Sequence, residues 1–277
     1  MYYFLYNPIS SNKDTLKRVN SLVQKKSKEA KCYLINVLEI SGKEEEFIIQ
    51  RSEDDNVVIC GGDGTISIFI NRVSPESIKC KIFLFKCGTG NDFARCFKKK
   101  YFEITEHLKK APSFKINGAE NHKFINGVGL GVDAIVCKSK LQYKESKVKK
   151  SYLSISLAAL KSFRPYQLEI EIDGKKYHYD TTWFVINNQG KYMGGGMKVT
   201  PKAERNTSEL DVCIVHTVSK KAIIFIFPFI YLGLHTLFKK YVTIIKGKNI
   251  KIIPNGCSTI QYDGEVIENV QLLEVER

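Results

Sequence analysis

The sequence predicts an α/β fold in two domains, 1–118 and 119–277: a three-layer domain on a parallel sheet, then a mainly antiparallel β-sandwich domain. Three observations lead there. At 277 residues the chain exceeds the usual size of one compact core. Up to about Gly118 short apolar runs alternate with helical stretches, as in parallel strands joined by crossover helices. Beyond Gly118 period-two stretches dominate, separated by turn signals such as Asp173-Gly174.

Tyr2 to Leu5 is a short aromatic and aliphatic run closed by Asn7-Pro8, a strand followed by a turn. A lysine-rich helix from about Asp14 to Lys28 places Leu16, Val19 and Val23 on one face. Tyr33 to Leu38 then reads as strand, Glu44 to Gln50 as helix, Val57 to Cys60 as buried strand, Ile66 to Arg72 as helix and Ile82 to Phe85 as buried strand. In the second half, strands are expected at Leu168 to Ile172, Tyr177 to Ile186, Leu210 to His216, Val242 to Ile245, Ile250 to Ile253 and Val270 to Val275. Helical segments around Ser151 to Phe163 and Lys220 to Phe238 interrupt them.

The formal charge of +14 at pH 7, from 43 Lys+Arg against 29 Asp+Glu, favours encounters with polyanions. Basic clusters stand at Lys98 to Lys100 and from Lys138 to Lys150, without interleaved aromatics for base stacking. Nucleic acid is therefore not expected, and an anionic membrane surface fits better. Eight cysteines occur without a C-x-x-C pair, several inside apolar runs, and read as buried thiols of a reducing compartment. The N-terminus lacks the basic flank and cleavage site of a secretory signal, which predicts a cytoplasmic protein. Ala222 to Phe238 falls short of the roughly 20 residues of a membrane span and carries Pro228, Gly233 and His235. It is expected to be a buried or interfacial helix.

Two glycine-rich loops carry the chemistry. Gly61-Gly62-Asp63-Gly64-Thr65 lies between a buried strand and a helix, where main-chain N–H groups and the helix end can receive phosphate. A tight turn with a capping Asp63 is the plainer alternative. Gly88-Thr89-Gly90-Asn91-Asp92 repeats the arrangement one strand later, and two such strand ends suit a nucleotide site at the carboxyl edge of an open sheet. Thr89 and Asn91 can donate to phosphate; Asp63 and Asp92 can order Mg²⁺ or its waters. A third glycine run, Gly127 to Gly131, opens no convincing helix and reads as structural.

GGDGT followed about 25 residues later by GTGNDFAR resembles the catalytic domain of the diacylglycerol kinase superfamily. The resemblance extends to Asn7-Pro8 as the first nucleotide-binding turn, Phe124 to Ala134, Met193 to Glu204, and Asp263-Gly264-Glu265, in the family's order over nearly the whole chain. It implies a phosphofructokinase- or NAD kinase-like N-terminal domain, a lipid-binding β-sandwich, and an active site in the cleft between them. ATP and Mg²⁺ are then the implied cofactors, and a lipid at the membrane surface the implied substrate. A homodimer is allowed. Asn7, Pro8, Gly61, Gly62, Asp63, Gly64, Thr65, Gly88, Thr89, Gly90 and Asn91 would bind the nucleotide. Glu265 would be the base, acting with Asp63 and Asp92. A bare reading of Asp263-Gly264 gives instead a two-residue hairpin turn with an exposed Glu265 after it. Asp92 favours diacylglycerol over sphingosine, while ceramide-type lipids stay compatible. NAD kinases share the G-G-D-G loop and are the rival among enzymes; a binding homologue without turnover is the rival outside them.

Departures from the family pattern are informative. Ile66-Ser67-Ile68 replaces the usual hydrophobic-Asn-Glu after Thr65, and Pro8-Ile9-Ser10-Ser11 lacks the customary glycine. Asn206 to Asp211 replaces D-D-G-x-L-D, so Thr207 stands where relatives place a carboxylate of a structural Mg²⁺ site. That site is absent, or is rebuilt with Glu204 or Glu209. The chain also stops at Arg277 without the segment that often returns to the first domain.

Overall fold

A computed structural model describes residues 1–8, 14–88, 90–119, 121–145, 151–205 and 207–277. The chain divides into two compact units, Met1–Ala111 and Pro112–Arg277.

The first unit runs β1 (Tyr2–Tyr6), α1 (Thr15–Lys26), β2 (Cys32–Asn36), α2 (Glu44–Ile49), β3 (Asn56–Gly61), α3 (Asp63–Arg72), β4 (Lys81–Lys86), α4 (Asp92–Arg95), β5 (Tyr101–Glu103) and α5 (Thr105–Lys109). Its sheet has the order β2-β1-β3-β4-β5. The first four strands are parallel, and β5 is antiparallel to β4. The strands are short and apolar because both faces are covered: Val57, Val58, Ile59 and Cys60 are all buried, as a parallel sheet requires. α1 turns Thr15 and Val19 inward, with Leu22 and Val23 half-buried against Phe4, Val58 and Cys60. Leu16, expected on that face, is instead exposed, since the inward stripe runs through Thr15 one position earlier.

The second unit contains β6 (Ser113–Ile116), β7 (His122–Lys123), β8 (Gly127–Gly131), α6 (Val132–Glu145), α7 (Tyr152–Ser162), β9 (Tyr166–Ile172), β10 (Lys175–Asn188), β11 (Leu210–His216) and α8 (Lys220–Ile226). Then come β12 (Val242–Gly247), β13 (Asn249–Pro254), β14 (Ser258–Tyr262), β15 (Glu265–Val270) and β16 (Leu273–Glu276). Eleven strands join in one sheet, in the order β15-β14-β8-β10-β9-β13-β16-β6-β7, with β11 and β12 added beside β10. Every pairing in it is antiparallel. One apolar cluster takes Leu130, Ile170, Val185, Val212, Ile252, Ile260 and Val275 from seven of these strands. The sheet therefore wraps around a shared core, as a sandwich does. The opposite face of β10 and β11 packs on α6, α7 and α8 through Val136, Leu160, Trp183, Val215 and Ile223.

Three sequence expectations are corrected. The run Gly127 to Gly131 does open a helix: it is β8, and α6 follows it directly for 14 residues. The expected strand Val270 to Val275 is the end of β15 and most of β16, separated by a turn. The expected single helix over Lys220 to Phe238 is α8 followed by two short 3₁₀ turns, Phe227–Tyr231 and Leu234–Leu237. Pro228 cannot continue the helix, and Gly233 at φ +77 turns the chain in a conformation other residues avoid. Among the described residues no helix is long and apolar enough to cross a membrane.

Candidate active site

In the first unit β3 ends at Gly61 and α3 begins at Asp63, so the G-G-D-G-T run is a strand-to-helix turn. The second glycine loop is sewn to it. Gly61 C=O accepts the N–H groups of Cys87 and Gly88, each at 3.1 Å, and Gly90 C=O accepts the N–H of Asp63 at 3.1 Å. The contact is close enough that a Cβ on Gly88 would stand 2.6 Å from Gly62 N, which is why both positions are glycine. The Asp63 carboxylate then receives the N–H of Asp92 at 2.7 Å and of Phe93 at 3.0 Å, so it caps α4 from the neighbouring loop.

Asp92 is 4% exposed, and its carboxylate lies 3.7 Å from the Arg95 guanidinium. Asn91 donates to Gly88 C=O at 2.6 Å. Its own Oδ1 is buried and has no partner among the described residues. Thr89 and residues 9–13 lie outside the described residues; Asn7 and Pro8 follow directly on the end of β1. A cavity of about 390 Å³ beside Gly88 is lined by Arg18, Lys86, Arg95 and Lys98 to Lys100. Arg18 is fixed there by donating to Lys86 C=O at 2.7 Å. The basic run Lys98 to Lys100 thus faces a concavity next to the second loop.

In the second unit β14 and β15 form a hairpin with Tyr262 opposite Glu265, so Asp263 and Gly264 are its two turn residues. Both have positive φ, +46° and +103°, the requirement of the tight hairpin turn that an Asp-Gly pair meets. Asp263 has a second role. Its carboxylate accepts the N–H groups of Ile125 at 2.5 Å and Asn126 at 2.8 Å, with Gly127 at 3.4 Å. Glu265, next in line, is exposed, and its carboxylate makes no hydrogen bond or ion pair among the described residues.

Sequence reasoning passed over four residues behind this hairpin, Arg205, Asn188, Asp133 and Gln261. Arg205, buried, donates to Ile125 C=O at 2.5 Å and to Asn126 Oδ1 at 2.6 Å, clamping the segment that Asp263 holds from the other side. Asn188 ties Gly190 C=O to Thr200, each at 3.0 Å. Asp133, at the start of α6, lies over Gly129 of β8 and accepts from Gln261 at 3.1 Å. Burial pushes its carboxyl up to about 7, and its second oxygen has no partner among the described residues. The glycine run before Asp133 was the available signal: Gly129 has no room for a Cβ because the Asp133 carboxylate occupies that space.

The loop where relatives place a structural Mg²⁺ carboxylate, and where Thr207 stands here, is held by its own hydrogen bonds. Thr207 places its hydroxyl 2.9 Å from both Glu204 C=O and Glu209 C=O. Arg277 donates to Thr207 C=O at 3.0 Å and Arg205 C=O at 3.2 Å. A guanidinium thus occupies two main-chain carbonyls of this loop. Asn206 lies outside the described residues. Among the described residues no group of three or more His, Cys, Asp or Glu side chains is placed to hold a metal ion. Of the other basic cluster, Lys138 pairs with Glu268 at 2.5 Å, and residues 146–150 lie outside the described residues.

Residues 1–119 match the diacylglycerol kinase catalytic domain, and residues 126–275 match the YegS C-terminal NAD kinase beta sandwich-like domain. The chain is 22% identical over 290 residues, covering 96% of itself and 93% of the other protein, to YtlR of Bacillus subtilis (strain 168), whose name places it provisionally among lipid kinases. It is 25% identical over 223 residues, covering 77% of itself and 72% of the relative, to the diacylglycerol kinase of the same organism. A crystal structure of a diacylglycerol kinase from Bacillus anthracis str. Sterne matches 100% of this chain and 93% of that one with a TM-score of 0.67 at 18% identity, a likeness of fold. With the two domain descriptions falling one after the other on the two units that the structure separates, the chain belongs to the lipid kinase family that joins a diacylglycerol kinase catalytic domain to a YegS C-terminal domain.

Proposed function

We propose that the protein is an ATP- and Mg²⁺-dependent kinase that phosphorylates the hydroxyl of diacylglycerol to give phosphatidate, at the cytoplasmic face of an anionic membrane. The observation that carries the reading is Glu265: a carboxylate with no hydrogen-bond or ion-pair partner among the described residues, held at a fixed place by a hairpin that Asp263 anchors. Phosphoryl transfer asks a protein mainly to position reactants and offset charge. The lipid hydroxyl forms a bond to the γ-phosphorus while its proton passes to the Glu265 carboxylate. The bond from that phosphorus to the bridging oxygen breaks, and ADP leaves with the electron pair.

The stitched loops Gly61 to Thr65 and Gly88 to Asp92 serve the nucleotide, and the basic cavity beside Gly88 offsets phosphate charge. The partnerless Asn91 Oδ1 and the Asp92 carboxylate are hard oxygen donors, which fit Mg²⁺ bound jointly with phosphates. When bound, that ion would neutralise charge building on the transferring group. Asp63 acts one step back, holding the second loop in place.

Radiolabelled ATP supplied with diacylglycerol, sphingosine, ceramide, NAD or no acceptor tests this reading, with products split between organic and aqueous phases. Label in phosphatidate is the expected outcome. Label on NAD, on another lipid only, or on nothing contradicts the assignment.

A further inference from the structure

The three most exposed large apolar side chains among the described residues are Leu237 at 72%, Leu232 at 67% and Phe225 at 66%. All fall in the segment that α8 and its two 3₁₀ turns form after β11, and Leu234 beside them is 41% exposed. Their clustering is not the scatter of single apolar residues that every surface carries.

The segment is not loose. On its inner side Ile230 C=O accepts the N–H of Lys198 at 2.9 Å, and His235 bonds Val199 C=O at 2.9 Å. Ile223, Ile226, Phe227 and Ile230 are buried in the core beneath. Burial lowers the His235 pKa to about 4, so the ring is neutral and the tie to Val199 persists at physiological pH. The exposed residues are thus held outward on a fixed base.

The charge beside them along the chain has one sign. Lys220 and Lys221 stand before the apolar tip and Lys239 and Lys240 after it, all exposed. Between Asp211 and Asp263 the chain carries seven lysines and no acidic residue. Apolar side chains flanked by lysines match the interface of an anionic bilayer, where the hydrocarbon boundary takes the former and lipid phosphates the latter.

We propose that Phe225, Leu232, Leu234 and Leu237 insert into the interface of an anionic bilayer, with Lys220, Lys221, Lys239 and Lys240 against the headgroups. This deepens the lipid kinase reading by naming the surface that meets the substrate's membrane, and it rests on that reading only for the purpose of docking. The test is co-sedimentation with phosphatidylglycerol/phosphatidylcholine vesicles, without ATP, of the full chain and of Phe225→Ser/Leu232→Ser/Leu237→Ser. Removing three inserted side chains should weaken vesicle binding on the order of 50-fold at both low and high salt. Lys239→Ala/Lys240→Ala should weaken it several-fold at low salt alone. In wild type carrying Leu232→Trp, the indole fluorescence should shift blue and be quenched by brominated lipid.

Vesicle binding by the triple variant equal to wild type, an unquenched indole, or a change of oligomeric state without a change in lipid binding would each overturn the proposal. The last outcome would assign the tip to contact with another copy of the chain. Turnover on a short-chain diacylglycerol in mixed micelles is read separately. Kinase activity absent with docking intact contradicts the enzyme reading alone, and docking absent with micellar activity intact contradicts the insertion alone.

Discussion

Two Asp-Gly pairs, Asp63-Gly64 and Asp263-Gly264, sit in loops of different units and do the same structural work by different routes. Each carboxylate collects main-chain N–H groups from a distant segment: Asp92 and Phe93 for Asp63, and Ile125 and Asn126, with Gly127 at longer range, for Asp263. The chain leaves the two pairs in different ways. After Asp63 it enters a ten-residue helix, and the carboxylate lies within the stitched double loop. After Asp263 it turns back on itself and presents Glu265 without a partner among the described residues. In both loops the aspartate carries the architecture; in the second, the carboxylate that follows its Asp-Gly pair, Glu265, stands without a partner among the described residues.

That contrast predicts a graded series of effects. Asp263→Ala should be the most damaging, because it orphans the Ile125 and Asn126 N–H groups as well as the longer contact to Gly127. The loss should be about 4 kcal/mol, seen as a lower denaturant midpoint with unchanged slope. Asp63→Asn keeps one acceptor oxygen and sets an NH₂ against the other N–H. About 1.5 kcal/mol should be lost, and ATP affinity should fall with it as the second loop loosens. A wild-type midpoint for Asp63→Asn would remove the capping role.

Asp133 stands behind the hairpin, with Gln261 as partner and Cys137 one turn along. Its carboxyl binds a proton more tightly folded, near 7, than its ordinary value of 3.8. The native state therefore holds more protons across that interval, and its contribution to stability is lost as pH rises from about 4 to about 7. Asp133→Asn should flatten that part of the melting temperature against pH. An unchanged slope would mean that Asp133 is ionised throughout.

The smallest effect concerns the loop at Thr207. With Arg277 on its carbonyls, excess EDTA should leave the melting temperature of the nucleotide-free protein unchanged, whereas Arg277→Ala should lower it by about 1 kcal/mol equivalent. A drop with EDTA would restore a structural cation.

Much of this was legible in the residues, for physical reasons. Buried parallel strands announce themselves as continuous apolar runs, so Val57 to Cys60 and Ile82 to Phe85 stood out. Asp263-Gly264 was readable as a turn because few pairs tolerate two positive φ values in succession. The features that stayed hidden depend on contacts distant in sequence. Asp63 meets Asp92 and Phe93 across 29 and 30 residues, and no local pattern reports that. α6 was missed because Lys138 and Lys140 interrupt its apolar pattern, and because three of the five residues of β8 before it are glycine, which announces no helix to follow. The segment after β11 looked like one helix on hydrophobicity, while Pro228 and Gly233 set its true breaks.

If Asp263 builds the hairpin and Glu265 takes the proton, Glu265→Gln should separate the two roles. The exchange preserves size and polarity at an exposed site, so the melting temperature should stay within the equivalent of about 0.5 kcal/mol of wild type. ATP affinity should be unchanged. Turnover on diacylglycerol should fall by roughly 10²- to 10⁴-fold. Turnover equal to wild type in that folded, ATP-binding variant would mean that Glu265 is not the base.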